Sequence, residues 1–176
     1  MNQLVKKIAV IGGVEASDLV SEIAFKVGNE ISKQGWHLVC GGGSGVMESA
    51  CKGFRFGRNE LDPVRVMAIG VLPGDDADLA NRYVDLVIPT GIGIARNAII
   101  TRMADGIIAV GRGSGTLSEI AYGWQMNKPV AAMGESGGWA ESLAGKSLDN
   151  RRDDVIFKAA TAVDAIDYFK KKFELI

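Results

Sequence analysis

Apolar residues fall in short runs, and the runs alternate with stretches whose apolar positions recur every three or four residues. Ile8-Ala9-Val10-Ile11, Trp36 to Cys40, Val64 to Val71, Tyr83 to Ile88, Ile107 to Val110, Val130 to Met133 and Val155 to Phe157 each predict a strand, the last an edge strand. Leu19, Ile23, Val27 and Ile31 form a helical stripe that Ser17 caps and Gly35 ends. Further helices are predicted from Val46 to about Phe56, around Arg96 ahead of Asp105-Gly106, and from Leu117 to Met126. Leu117, Ile120, Ala121 and Trp124 share one face of that helix, and Thr161 caps a last one. Asn59 to Pro63 reads as a turn, and Gly134 to Asn150 as a glycine-rich loop with one short helical turn. Strands alternating with helices predict an α/β, three-layer Rossmann-like fold over residues 1–176 as a single domain. Its sheet is mainly parallel, of about six to seven strands, with helices on both faces.

Right-handed crossovers bring every strand-to-helix turn to the carboxyl edge of such a sheet, where ligands bind. Two of those turns are rich in glycine. Gly41-Gly42-Gly43-Ser44-Gly45 joins the second strand to a helix, and Gly111-Arg112-Gly113-Ser114-Gly115-Thr116 joins the fifth strand to the next helix. Glycine lets the backbone approach a ligand closely, while the free N–H groups and dipole of a helix start favour negative charge. The second turn is therefore the leading candidate for a phosphate site. Glu119 follows it, in the expected first turn of the helix. Arg96 stands near the start of the preceding helix, where a cation opposes the dipole and calls for an anionic partner. Both helices begin at one sheet edge, so Arg96 and Glu119 can face a single cleft.

Other chemistries find little support. The first strand ends in Gly12-Gly13-Val14-Glu15 rather than a G-x-G-x-x-G fingerprint, which argues against a nicotinamide dehydrogenase. Ala140 to Ser147 matches a loose phosphate-loop pattern, but no convincing strand leads into it. His37 reads as a satisfied strand histidine, and Asp75, Asp76 and Asp78 as a solvated loop rather than a cation site. A single histidine and no nucleophile elbow leave no serine triad to argue. Twenty Lys and Arg against 21 Asp and Glu give no net field for nucleic acid or an anionic membrane. No apolar run approaches a membrane span, and the N-terminal apolar stretch is too short for a signal peptide. Cys40 and Cys51 lack metal-ligand spacing and suit free thiols in a cytoplasmic protein.

Gly113-Ser114-Gly115-Thr116-Leu117-Ser118-Glu119, with Arg96 at unbroken spacing before it, resembles the P-G-G-x-G-T-x-x-E motif of the LONELY GUY (LOG) superfamily, once labelled lysine decarboxylases. Gly41 to Met47 looks like that family's first glycine motif, shortened by one residue. LOG enzymes are nucleoside 5'-monophosphate phosphoribohydrolases. The resemblance implies that Gly113 to Thr116 hold the 5'-phosphate, with Gly42, Gly43, Ser44, Gly45 and Met47 as further ligand contacts. It implies that Glu119 stabilises charge at the ribose and that Arg96 positions it. The chain departs from the LOG motif at Gly111, Arg112 and Asn97, which replace a proline, a glycine and a lysine. Arg112 and Asn97 are read as further ligand contacts. The wording around Arg96 and Glu119 is closer to a sister branch that contains molybdenum-cofactor carriers, which bind a pterin phosphate without transforming it. Two functions follow as expectations, a nucleotide phosphoribohydrolase and a non-catalytic carrier or sensor of molybdenum cofactor or a nucleotide. Neither requires a metal or resident cofactor, pyridoxal phosphate included. The same resemblance implies a homodimer or homotetramer.

Overall fold

A computed structural model describes residues 5–58 and 66–174. The turn expected at residues 59–63 and the start of the third strand at residues 64–65 lie outside the described residues. In chain order the strands are β1 (Lys7–Gly12), β2 (His37–Cys40), β3 (Ala68–Leu72), β4 (Leu86–Pro89), β5 (Gly106–Val110), β6 (Val130–Met133) and β7 (Phe157–Ala159). The helices are α1 (Asp18–Lys33), α2 (Val46–Gly57), α3 (Asn97–Met103), α4 (Ser114–Gln125), α5 (Gly138–Leu143) and α6 (Ala162–Glu174). All seven strands pair in parallel, in the order β4-β3-β2-β1-β5-β6-β7. The chain winds outward from β1 in one direction, then returns to start again at β5. Between β1 and β5 the strand order reverses, and a crevice opens at their carboxyl ends.

Alternation along each central strand sorts the core into two layers. Ile8 and Val10 of β1 pack with Ala24, Val27 and Ile31 of α1, Phe54 of α2 and Phe169 of α6. Ala9 and Ile11 face the other way, toward Ile100 of α3, Ile120 and Trp124 of α4 and Ala140 of α5. This is the three-layer α/β architecture that the hydrophobic pattern predicts.

Several boundaries move for local reasons. The fourth strand starts at Leu86 rather than Tyr83 because residues 81–85 are held in a turn. Tyr83 N donates to Asn81 Oδ1, and the Asp85 carboxylate accepts from Ala68 N and pairs with Arg58. Short 3-10 turns at Ala77–Leu79 and Gly93–Arg96 precede β4 and α3. Ser17 caps α1 as expected. Thr161 Oγ1 accepts from Asp164 N while Thr161 N donates to the Asp164 carboxylate, a reciprocal cap that fixes the start of α6. The loose phosphate-loop pattern at residues 140–147 spans the end of α5 and the turn after it, with no strand leading in. His37 Nδ1 accepts from Met67 N, and burial holds its imidazole below the ordinary histidine range. No helix among the described residues is long and apolar enough to cross a membrane.

Candidate ligand-binding cleft

Three loops meet where the strand order reverses: the one after β1 (Gly12 to Val14), the one after β2 and the one after β5. Between them lies a cleft of about 260 Å³. Its walls are Gly12, Gly13 and Val14, then Gly41 and Met47, then Arg96 and Asn97, and last Gly113 to Thr116 with Glu119.

Gly113 precedes α4, and no side chain caps the helix there. The first bond inside the helix runs from Leu117 N to Gly113 O. The amides of Ser114, Gly115 and Thr116 come before it, so the helix cannot satisfy them. All three residues line the cleft. Ser114, Gly115 and Thr116 are thus the first turn of α4 rather than a loop ahead of it, and Glu119 moves to the second turn. It is no part of a capping box. The residue faces the cleft and is only 5% exposed.

Opposite stands Arg96, the last residue of the turn leading into α3. Its Nη1 donates to Asn97 Oδ1 at 2.8 Å and reaches Glu119 Oε1 at 3.5 Å, while its buried Nε finds no acceptor among the described residues. The guanidinium packs against Gly41, where a Cβ would come within 2.6 Å of Nη2 and 2.7 Å of the Met47 Sδ and push both side chains aside. Asn97 Nδ2 donates to Ser118 Oγ, which donates to Gly115 O, so the starts of α3 and α4 are tied together across the cleft. Burial raises the Glu119 carboxyl to about 7 and the Arg96 charge only partly offsets it.

The first glycine loop is arranged otherwise. Val46 N, at the start of α2, donates to Gly13 O at 3.1 Å, and Ser44 Oγ donates to Val14 O at 2.9 Å. Gly42 O accepts from Asn81 N and Nδ2. Gly45 has a φ of +65°, and a Cβ there would lie 2.5 to 2.6 Å from the Gly13 and Val14 backbone. Ser44 and Gly45 therefore brace the loop after β1, Gly42 braces the turn at Asn81, and none of the three lines the cleft. Met47 does line it, and Gly43 joins it in an adjoining lobe of about 170 Å³ beyond Arg96. That lobe also takes in Asp76, expected as part of a solvated loop.

Arg112, expected in the phosphate loop, does not share the cleft. It lines a separate cavity of about 240 Å³ with Glu15, Ser17 and Ser136, just after the chain turns at Gly111 with a φ of +74°. Val14, Gly12 and Gly13 were missed in the sequence. The glycine pair that closes the first strand is the signal for them. Cys40 and Cys51 are free, buried thiols whose sulfurs hydrogen-bond at 3.5 Å beneath Gly41.

A family model described as the SLOG cluster4 family matches residues 5–166. The chain belongs to that family. An uncharacterized protein of Archaeoglobus fulgidus is 38% identical over 127 residues, covering 72% of this chain and 79% of its own. The molybdenum cofactor binding protein of Rippkaea orientalis is 29% identical, with a TM-score of 0.82 over 98% of this chain and 99% of its own. The molybdenum cofactor carrier protein of Chlamydomonas reinhardtii is 30% identical, with a TM-score of 0.80 over 97% and 99%. This member of the SLOG cluster4 family thus bears out the resemblance to the LOG superfamily and its carrier branch.

Proposed function

We propose that this protein binds a small molecule carrying a phosphate and a flat ring, and passes it on unchanged, as a carrier of molybdenum cofactor or a related pterin phosphate. One observation carries the reading: Ser114, Gly115 and Thr116, whose amides precede the first helical bond of the uncapped α4, line the cleft at the strand-order reversal. The residues suit such cargo. The amides and dipole of α4 take the phosphate, Arg96 adds a cation on the facing wall, and the lobe beyond it supplies Met47, Leu72 and Leu79 for a ring. The names of the Rippkaea and Chlamydomonas relatives support the pterin over other rings. Ile94, 87% exposed, and Leu79 at the cleft rim support the homo-oligomer of the same proposal. A cytoplasmic location belongs to it as well, supported by the two free thiols.

A second reading, nucleotide phosphoribohydrolase, is supported by the Arg96–Glu119 pair facing the cleft. There Glu119, ionised, would stabilise positive charge building at the sugar carbon, with Arg96 holding the carboxylate in place. Its rate would rise through pH 7 as the proton leaves.

Mass spectrometry of the ligand retained through gentle purification tests the first reading, and incubation with AMP and GMP the second. A retained pterin phosphate with no free base released is expected. Base release that disappears in Glu119→Gln would replace carriage with hydrolysis.

A further inference from the structure

The lobe beyond Arg96 has a composition of its own. Leu72, Pro73, Leu79, Met47 and Val14 make it apolar, and one carboxylate, Asp76, lies on its wall. Val14, Gly41, Met47 and Arg96 line this lobe and the phosphate end alike, so one ligand can occupy both. Asp76 is held in place. Its Oδ1 accepts from Asp78 N at 2.9 Å at the start of the 3-10 turn Ala77–Leu79, and the residue is solvent-exposed, free to meet a ligand.

An ionised carboxylate only accepts hydrogen bonds, so it selects a ring edge that only donates. Numbered on the pyrimidine ring they share, guanine and pterins carry a 2-amino-4-oxo edge on which a ring N–H and an amino group stand side by side. Adenine presents its amino group beside a ring nitrogen whose lone pair would face the carboxylate. A site built to pair with donors rejects the analogue that lacks one, because the bound ring strips water from the acceptor and leaves it unpaired.

Resting on the phosphorylated-ligand reading above, we propose that Asp76 reads the ring edge, so that the cleft takes phosphates of 2-amino-4-oxo rings and refuses adenine nucleotides. Pterin phosphates and guanine nucleotides share that edge, and each is a separate arm of the test.

Calorimetric titration with GMP, 6-hydroxymethylpterin phosphate and AMP decides it. At least one of the first two binds tenfold or more tightly than AMP, and whichever is tighter names the source. Asp76→Asn keeps the cap, since the amide oxygen still accepts from Asp78 N. It presents one acceptor and one donor, the complement of adenine. The variant is therefore expected to lose tenfold or more for GMP or the pterin while gaining affinity for AMP, with an unchanged melting temperature. A merely structural Asp76 would weaken all three alike, and that result overturns the proposal. Equal binding of GMP and AMP, both abolished by Gly115→Val, overturns the ring reading and leaves the phosphate site standing. No binding of any probe overturns both.

Discussion

The loops after β2 and β5 are near twins in sequence, each a buried strand, a glycine cluster and a helix start, yet they do opposite things. Neither helix has a side-chain cap, but at the β2 loop neighbouring backbone takes the first helix amide, Val46 N donating to Gly13 O, and Ser44 Oγ ties the loop to Val14 O. At the β5 loop no neighbouring backbone takes the first amides, and Ser114, Gly115 and Thr116 line a cleft. A glycine-rich turn before a helix creates the possibility of an anion site. Whether neighbouring backbone consumes the amides decides between brace and cradle.

The sharpest way to break the contrast is the same kind of insult at both loops. Gly45→Ala puts a methyl into the Gly13–Val14 backbone at a left-handed φ, and is expected to cost about 3 kcal/mol or more in urea unfolding. At Gly115 the nearest atom to a Cβ is Asn97 Nδ2, at 3.7 Å. Gly115→Val should therefore change stability by only about 1 kcal/mol. It should weaken GMP binding roughly thirtyfold, about 2 kcal/mol, by calorimetry. Equal stability losses at the two sites would erase the distinction.

Next in size is Arg96→Ala. It removes the facing cation, with roughly tenfold weaker phosphate-ligand binding expected. It also leaves Glu119 with burial unopposed, so the carboxyl should titrate above 7 in a carboxyl-resolved NMR titration.

A smaller effect tests the pocket electrostatics. In the folded chain Glu119 holds its proton to about pH 7, against an ordinary value of 4.5. The folded state thus binds more protons than the unfolded one between those values, and stability falls as pH rises through that window. Glu119→Gln escapes the loss. Relative to the native chain it should gain on the order of 1 kcal/mol between pH 5 and pH 8, read from unfolding curves at both. A gap that does not change with pH would place the carboxylate in a more solvated setting. Smallest of all, Arg112→Ala should alter GMP affinity less than twofold, since Arg112 lines a different cavity.

Much of the architecture was legible because strands and helices announce themselves by period. The strands Ile8 to Ile11 and Ile107 to Val110 are continuous apolar runs, as a sheet covered on both faces requires. Tyr83 and Val84 read as strand because hydrophobicity does not reveal that Asn81 and Asp85 hold a turn. Arg96 and Glu119 were legible as partners, since both helices must start at one sheet edge. The roles of Gly42, Ser44 and Gly45 were not, because Ser44 and Gly45 depend on the β1 loop some thirty residues earlier and Gly42 on Asn81 some forty residues later. Arg112 lies outside the cleft just after the chain turns at Gly111, whose positive φ sequence does not encode by pattern. Gly12 to Val14 became visible as cleft walls only once the pairing of β1 with β5 was known.

Titration of GMP into nitrogen-15-labelled protein, followed residue by residue through backbone amide shifts, tests the central claim most directly. The amides of Ser114, Gly115 and Thr116 should move downfield and saturate together, while the already bonded amides of Val46 and Ser49 stay in place. Shifts at Val46 and Ser49 with none at Ser114 to Thr116 would put the ligand on the other loop and contradict the account.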